Sequence, residues 1–556
     1  MRLNIRIAGI AGSWMNSSAD IIAWAFADLG YHVITDIEYQ SLIKGGINYF
    51  DINVSDNSRY TSKHVDILVA LDWQNLIASL PVLKQGHWVI IANSKAIIKA
   101  KEKGIDVWAY ISYPVEISDK YDNTYLIAVL SKLLGLDDTI IERYLTSVFQ
   151  KKWDEAVIKN IEIYRKLKWE YSLEKWVTHC PSIWPSKKIT YGNKMLAMGA
   201  LDTGLGYYAA YPMTPASSVL TEMVKANRCT VLQAEDEIAV MNSALWASFT
   251  GTRAMVGTSG GGFALMTEAI SFAIQAEIPV TAIFAQRAGP STGTPTFNEQ
   301  WDINFALAPS FWDFEHIVLT PATLEDGYYL TWQALNLAEK YQTVVIVLTD
   351  KQYADGKVTL DSALIWPGII KWKFLDEPPV DYKRYQITDD GISPMVQVWI
   401  KHGDFIATSY EHDEFGATTE EPEMKIKMTE KRAKKLENFF QKEWVLGYEA
   451  INTGAKKIMI TTNFIAYNAL EFVKNNPDFG LIIIKYLKPL DERLLHELTG
   501  KEEVIFVEYN YSGLLQKYVS NELGLKFVPW LKISSMRRYD LMPFHYEDFE
   551  EHLLKK

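Results

Sequence analysis

An arginine closes the apolar run in "IPVTAIFAQRAGPSTGTPT", residues 278–296, and a turn with two prolines, two glycines and four hydroxyl side chains follows it. At the carboxyl end of a strand, Arg287 offers a planar fork that pairs bidentately with a carboxylate. Glycine and proline let the backbone turn tightly and approach a ligand, and Thr292 and Thr296 add neutral hydrogen-bonding groups. A surface turn with a solvated arginine fits the same residues. Three further stretches have this double character. In "YPMTPASS", Tyr211–Ser218, the hydroxyls serve either a small molecule or the cap of the helix that follows. In "QAEDEIAVMNSALWASF", residues 233–249, Glu235, Asp236 and Glu237 open an apolar helix. Acids there complement the helix dipole, or one is a buried carboxylate suited to proton transfer. "TSGGGFALMTEA" turns from strand to helix on glycines, for an anion or for close packing.

The elements needed to position these residues are readable from periodicity. "TVLQAEDE", "RAMVGTSGG", "VTAIFAQR", "HIVLTPAT" and "TVVIVLTD" are short apolar strands alternating with helical stretches, the pattern of an open α/β sheet. The polar stretches fall just after strands, where such sheets bind ligands. An N-terminal region, 1–176, shows its own βαβ alternation ("LNIRIAGIAGS", "YHVITDIEY", "VDILVALD", "HWVIIANS"). It predicts a mostly parallel sheet, with helices over about 122–149 and 152–171. Residues 177–193 read as a linker, 194–366 as the second α/β domain and 367–440 as an irregular connecting segment. Residues 441–556 form a third α/β unit with strands "KIMITTN", "GLIIIKYLKPL" and "EVIFVEYN".

The 556 residues and a net charge of −12 set limits on partners. An acidic chain without a basic run is a poor phosphate-backbone binder, so no nucleic acid is expected. "KRAKKLENFFQKE", 431–443, reads as a solvated helix face. Cys180 and Cys229 are the two cysteines. They predict no disulfide framework, a cytoplasmic setting, and no four-thiolate cluster within this chain. No run is long enough for a membrane span or a cleavable leader. His412 has no metal-ligand spacing, and no metal site is expected here.

Taken in order, "YPMTP", "QAEDEIA", "GTRAMVGTSGGGFALMTEAIS" and "QRAGPSTGTPTFNEQWD" resemble the α subunit of 2-oxoacid:ferredoxin oxidoreductases, with that family's γ domain fused at the N-terminus. "YQSLIKGGINYFDINVS" is similar to the γ-domain Arg-Gly-Gly segment, with Lys44 for Arg. "YEHDEFGATTEEPEM" and "FVEYNYSGLL" are similar to later elements of the family. The resemblance implies a γ domain, a thiamine-diphosphate-binding-fold pyrimidine domain and a transketolase C-terminal-like domain. It implies a subunit that acts with a separate β subunit, on which Mg²⁺ and a [4Fe–4S] cluster are expected. The implied cofactor is thiamine diphosphate, with coenzyme A as co-substrate and a 2-oxoacid and ferredoxin as reaction partners. Carried over by motif, Arg287 grips the oxoacid carboxylate, Thr214 contacts the substrate, and Thr296 lies near its side chain. Glu237 contacts the aminopyrimidine N1′, with Glu235 as the alternative two residues away. Ala288, Gly261 and Trp246 depart from the family pattern, Trp246 in the helix that Glu237 opens. A silent scaffold and an indolepyruvate-type relative are the other readings, the latter opposed by the Pro-Ser-Thr-Gly segment.

Overall fold

The structure is a computed structural model. It describes residues 2–10, 15–39, 48–83, 89–105, 107, 111–115, 122–150, 154–170, 185–361, 363–370 and 374–555. Cys180, Lys44 and residues 177–184 of the linker lie outside them; of the rest of the stretch read as linker, Ile189–Tyr191 is a strand and Gly192 opens a helix. The chain divides into two compact units: Met1–Tyr191 with Asp355–Ala363 and Phe544–Lys556, and Gly192–Ala354 with Leu364–Pro543. Among the described residues no helix is long and apolar enough to cross a membrane.

The first unit is built on an eight-stranded sheet. Arg2–Ala8, Ile67–Ala70, Val89–Asn93 and Ile111–Val115 run parallel, as the βαβ pattern predicts. The other half does not. Tyr49–Ser55 is antiparallel to both Arg2–Ala8 and His32–Glu38. Residues 39–48 are too few for a crossover helix, so the two strands they join pair as neighbours in opposite directions. Helix Met15–Asp28 covers one face through Ile21, Ile22 and Phe26. Inside, Arg6 donates from Nε and Nη2 to the Asp51 carboxylate at 2.7 and 2.6 Å. The Tyr49 ring lies 3.7 Å from its guanidinium carbon.

The second unit holds two sheets. The seven-stranded one runs in the order Tyr486–Lys488, Ile317–Leu319, Val344–Asp350, Val280–Gln286, Ala254–Thr258, Tyr207–Ala210, Thr230–Gln233. All neighbours are parallel except the first pair. The five-stranded sheet, Tyr448–Ile451, Phe479–Ile484, Lys457–Thr461, Glu503–Glu508 and Lys532–Arg537, contributes Ile460, Ile482 and Phe506 to the same apolar cluster as Val256, Phe284 and Ile346. Burying one continuous core between the two sheets is the main stabilisation of this unit.

The segment 431–443 departs from its reading as a solvated face. Helix Pro422–Lys434 turns Lys431 and Arg432 inward, and Lys435 follows them, all three buried. Lys431 Nζ and Lys435 Nζ reach the fully buried Glu277 carboxylate at 2.6 and 2.7 Å. Arg432 pairs with Glu411 at 2.9 Å. Charges leave water here because partners meet them. His412 is also buried, Nδ1 against the Asp413 carbonyl at 2.9 Å and Nε2 against that of Gln275 at 3.2 Å.

Candidate active site

Four adjacent parallel strands end together: Val280–Gln286, Ala254–Thr258, Tyr207–Ala210 and Thr230–Gln233. From their carboxyl ends leave, respectively, the turn beginning at Arg287, the glycine turn Ser259–Gly262, the Tyr211–Ser218 turn and the acidic turn 234–237. One strand edge thus collects residues spread over about ninety positions of sequence, the placement expected of an α/β ligand site.

Arg287 is half-buried and donates from Nη1 to the Thr214 carbonyl oxygen at 2.8 Å. No other protein acceptor engages its guanidinium among the described residues, so the remaining N–H groups are open to a ligand. Burial lowers its basicity, opposed by the nearby Asp302 and Glu237 carboxylates. A guanidinium remains charged under that pressure. Thr214 and its neighbours do not cap the helix Ser217–Ala226: Ala216 takes the cap position, with no side-chain cap bond.

The three acids of the "EDE" turn separate by role. Asp236 caps the helix Glu237–Phe249, its Oδ1 accepting from the Ala239 N–H at 2.8 Å. Glu235 is exposed. Glu237 is buried, and burial pushes its carboxyl up, its own backbone N–H opposing, Asp236 adding to the rise and Arg287 opposing. A Cβ at Gly262 would lie 2.2 Å from Glu237 Oε1 and 2.3 Å from Thr258 Oγ1, so the glycine turn passes directly over this carboxyl. A buried carboxyl that is raised, lies next to a bare backbone and has no side-chain hydrogen-bond partner among the described residues suits a ligand nitrogen that shares its proton. Trp246 stands nine residues beyond Glu237, about 180° around the helix. It is 70% exposed and packs against Phe249 at 5.8 Å, away from this carboxyl.

The loop after Arg287 is folded back on itself. Ala288 N–H donates to the Phe297 carbonyl at 3.0 Å, Thr294 N–H to the Ala288 carbonyl at 3.3 Å, and Phe297 N–H to the Thr294 carbonyl at 3.0 Å. Ala288 is fully buried in this closure, Thr296 is buried and Thr292 is exposed. Among the described residues no hydrogen bond joins Thr296 to Arg287, Thr214 or Glu237.

Two acids that the sequence left unassigned belong to the same place. Asp302 takes its place at the loop's end, its N–H donating to Gln286 Oε1 at 3.1 Å. Its oxygens lie 3.0 and 3.1 Å from where a Gly260 Cβ would sit. Burial pushes this carboxyl up to about 6, Arg287 opposing. Glu299, buried, accepts from Trp301 Nε1 and the Gly289 backbone, and burial lifts it to about 7. The signal that would have found them is an acid a few residues past a ligand turn. Their approach to Gly260 and Gly289 is not encoded in spacing.

Known proteins resemble the chain along its whole length. The family model "Pyruvate flavodoxin/ferredoxin oxidoreductase, thiamine diP-bdg" matches residues 198–431, and "Pyruvate ferredoxin/flavodoxin oxidoreductase" matches 4–166. The 2-oxoacid:ferredoxin oxidoreductase subunit alpha of Saccharolobus solfataricus is 31% identical over 95% of this chain and 94% of its own. Its counterpart from Sulfolobus sp is 29% identical over 100% and 97%. A solved 2-oxoglutarate:ferredoxin oxidoreductase from Magnetococcus marinus, with 2-oxoglutarate, coenzyme A and succinyl-CoA bound, superposes with a TM-score of 0.88 at 27% identity, covering 100% of this chain and 99% of that one. With a thiamine-binding-domain match across the strand ends that gather Thr214, Glu237 and Arg287, and with full-length likeness on both sides of it, the chain belongs to the family of 2-oxoacid:ferredoxin oxidoreductase alpha subunits.

Proposed function

We propose that this chain supplies the oxoacid-gripping half of a coenzyme A-acylating 2-oxoacid:ferredoxin oxidoreductase. Arg287 holds the substrate carboxylate through the donors that Thr214 leaves free. Thr214 and Thr296 flank the substrate, and Glu237 rather than Glu235 meets the aminopyrimidine. The observation that carries this reading is the presence of a half-buried, under-used guanidinium and a buried, raised carboxyl at the carboxyl end of one sheet, with the glycine turn of a strand between them passing over the carboxyl.

Thiamine diphosphate, when bound, supplies the electron sink for decarboxylation. The protein's part is to orient and to hold charge. Glu237, whose burial favours its protonated form, shares a proton with a ring nitrogen. Arg287 fixes the oxoacid by its carboxylate, where exclusion of water strengthens the pairing. Asp302 adds a nearby negative charge that favours the charged guanidinium. We assign the [4Fe–4S] cluster to a separate β subunit, since two cysteines cannot supply four thiolates, and Mg²⁺ to the same subunit, as the family resemblance implies. Ferredoxin then accepts the electrons and coenzyme A the acyl group. A silent scaffold has no use for an arginine and a carboxyl kept buried and unspent. 2-Oxoglutarate is the first substrate to try, because the Magnetococcus marinus relative carries it.

Co-expression with the β subunit, followed by assay with 2-oxoglutarate, pyruvate and coenzyme A against an artificial acceptor, tests the reading. Acyl-CoA formation that needs both chains is expected. A complex that binds thiamine diphosphate and turns over no 2-oxoacid would refute it.

A further inference from the structure

The element "FVEYNYSGLL" has no part in the chemistry above, yet its turn meets the loop that carries Arg287. Tyr509 and Asn510 follow the strand Glu503–Glu508 of the five-stranded sheet. Their turn is stiff. Glu508 accepts from the Leu515 and Gln516 N–H groups at 2.8 and 3.2 Å and from Asn510 Nδ2 at 2.7 Å, and Asn510 Oδ1 accepts from the Gly513 N–H at 2.7 Å. Against it lies Gln300, fully buried, between the oxoacid loop and Asp302.

Every hydrogen-bonding group of Gln300 is spent. Its N–H donates to the Tyr509 carbonyl at 2.7 Å, and its carbonyl accepts from Asn510 Nδ2 at 3.3 Å. Its side-chain Oε1 accepts from the Tyr509 N–H at 3.2 Å, and Nε2 donates to Asp350 Oδ2 at 3.1 Å. Asp350 ends the strand beside that of Gln286. The flanking residues are tied as well: Asn298 Oδ1 accepts from the Gln352 N–H at 3.0 Å, and the Asp302 N–H reaches Gln286 Oε1 at 3.1 Å. The loop is therefore a closed ring, Gln286 to Asp302, with Gln300 as its fixed point on the second sheet.

We propose that Gln300 is the positioning residue of the oxoacid loop, through which the Tyr509–Asn510 turn of the C-terminal sheet sets the place of Arg287 and hence the affinity for the oxoacid. This rests on Arg287 as the carboxylate clamp. A polar side chain satisfied on all sides in a dry interior specifies one arrangement, because any other leaves groups unpaired. Small displacements of a substrate-holding residue cost far more in binding than in fold.

The test reverses the Gln300–Asp350 bond. Gln300→Glu keeps the acceptor for Tyr509 but sets two buried carboxyls together, which repel unless they share a proton. Adding Asp350→Asn supplies the donor from the other side. In the complex with the β subunit, Gln300→Glu is expected to raise KM for 2-oxoglutarate or pyruvate about tenfold or more, with kcat little changed. In the chain alone, amide protection over 288–299 falls. Both return in the double variant, and the single variant recovers partly in acid. Unchanged KM and protection in Gln300→Glu, or no recovery in the double variant, overturns the inference. Should Gln300→Glu not fold, Gln300→Met, which keeps the length, is measured for the same rise and the same loss of protection, and unchanged values again overturn it. Arg287→Ala is run beside them. If it raises KM and the Gln300 variants do not, the Gln300 inference alone falls; if it leaves KM unchanged, the clamp falls and Gln300 with it.

Discussion

Glu237 and Gly262 occupy one space: Glu237 Oε1 lies 2.2 Å from the position a Cβ at residue 262 would take. Gly262→Ala must therefore push the carboxyl or the turn aside, and Thr258 Oγ1 at 2.3 Å blocks the easy retreat. The variant is expected to fold with a loss of about 1–3 kcal/mol, as overpacking does. Its affinity for thiamine diphosphate in the assembled enzyme drops at least tenfold. Wild-type affinity in a folded Gly262→Ala complex would show that Glu237 does not face the cofactor.

The choice between the two glutamates has its own test. Glu237→Gln removes the shared proton and is expected to cut turnover by roughly 10²–10⁴-fold. Glu235→Gln, on an exposed side chain, leaves turnover within about twofold, as surface substitutions do. Turnover measured on the two complexes side by side decides it, and equal losses would sink the assignment.

The Glu277 site predicts a stability effect remote from the chemistry. Lys431, Lys435 and, through the Glu277 carbonyl at 2.7 Å, Arg384 converge on this one buried residue. The lysines hold its carboxyl well below the ordinary range although burial alone would raise it, while burial pushes Lys435 down to about 7. Glu277→Gln strands two buried ammonium groups, and a loss of about 3–5 kcal/mol in denaturant unfolding is expected. A loss under 1 kcal/mol would mean the lysines find water.

Asp350 gives a pH dependence. It is fully buried, and burial raises its carboxyl from 3.8 to about 6. Between those values the folded chain holds a proton that the unfolded chain has released. Stability from this group is complete below about 4 and is lost as pH rises through about 6. Asp350→Asn removes that contribution, so the wild-type melting temperature minus that of the variant should fall between pH 4.5 and 7. A constant difference across that range contradicts the assignment.

Part of this was legible from sequence. The places of Arg287 and Thr214 just past strand ends were legible because an apolar run followed by a glycine–proline turn fixes where the chain leaves its sheet. The helix that begins at Glu237 announced itself through its acidic cap and small residues. Burial of Lys431 did not, because its partner Glu277 is 154 positions away and a lysine-rich stretch reads as solvated until that contact exists. Asp302 and Gln300 escaped for the same reason: their roles depend on Gly260 and on Tyr509, which only the folded sheets bring near. The first sheet read as mostly parallel because βαβ alternation in the N-terminal region implies parallel pairing, yet the strands joined by 39–48 pair antiparallel. That short connection encodes the direction.

The central claim is that Arg287 holds the oxoacid by its carboxylate. The most direct measurement is kcat/KM for 2-oxoglutarate and pyruvate in the assembled complex with Arg287→Ala. Removing one partner of a desolvated charge pair predicts a fall of about a hundredfold or more, expressed mainly in KM. A kcat/KM equal to wild type, in a complex that still binds thiamine diphosphate, would contradict the account.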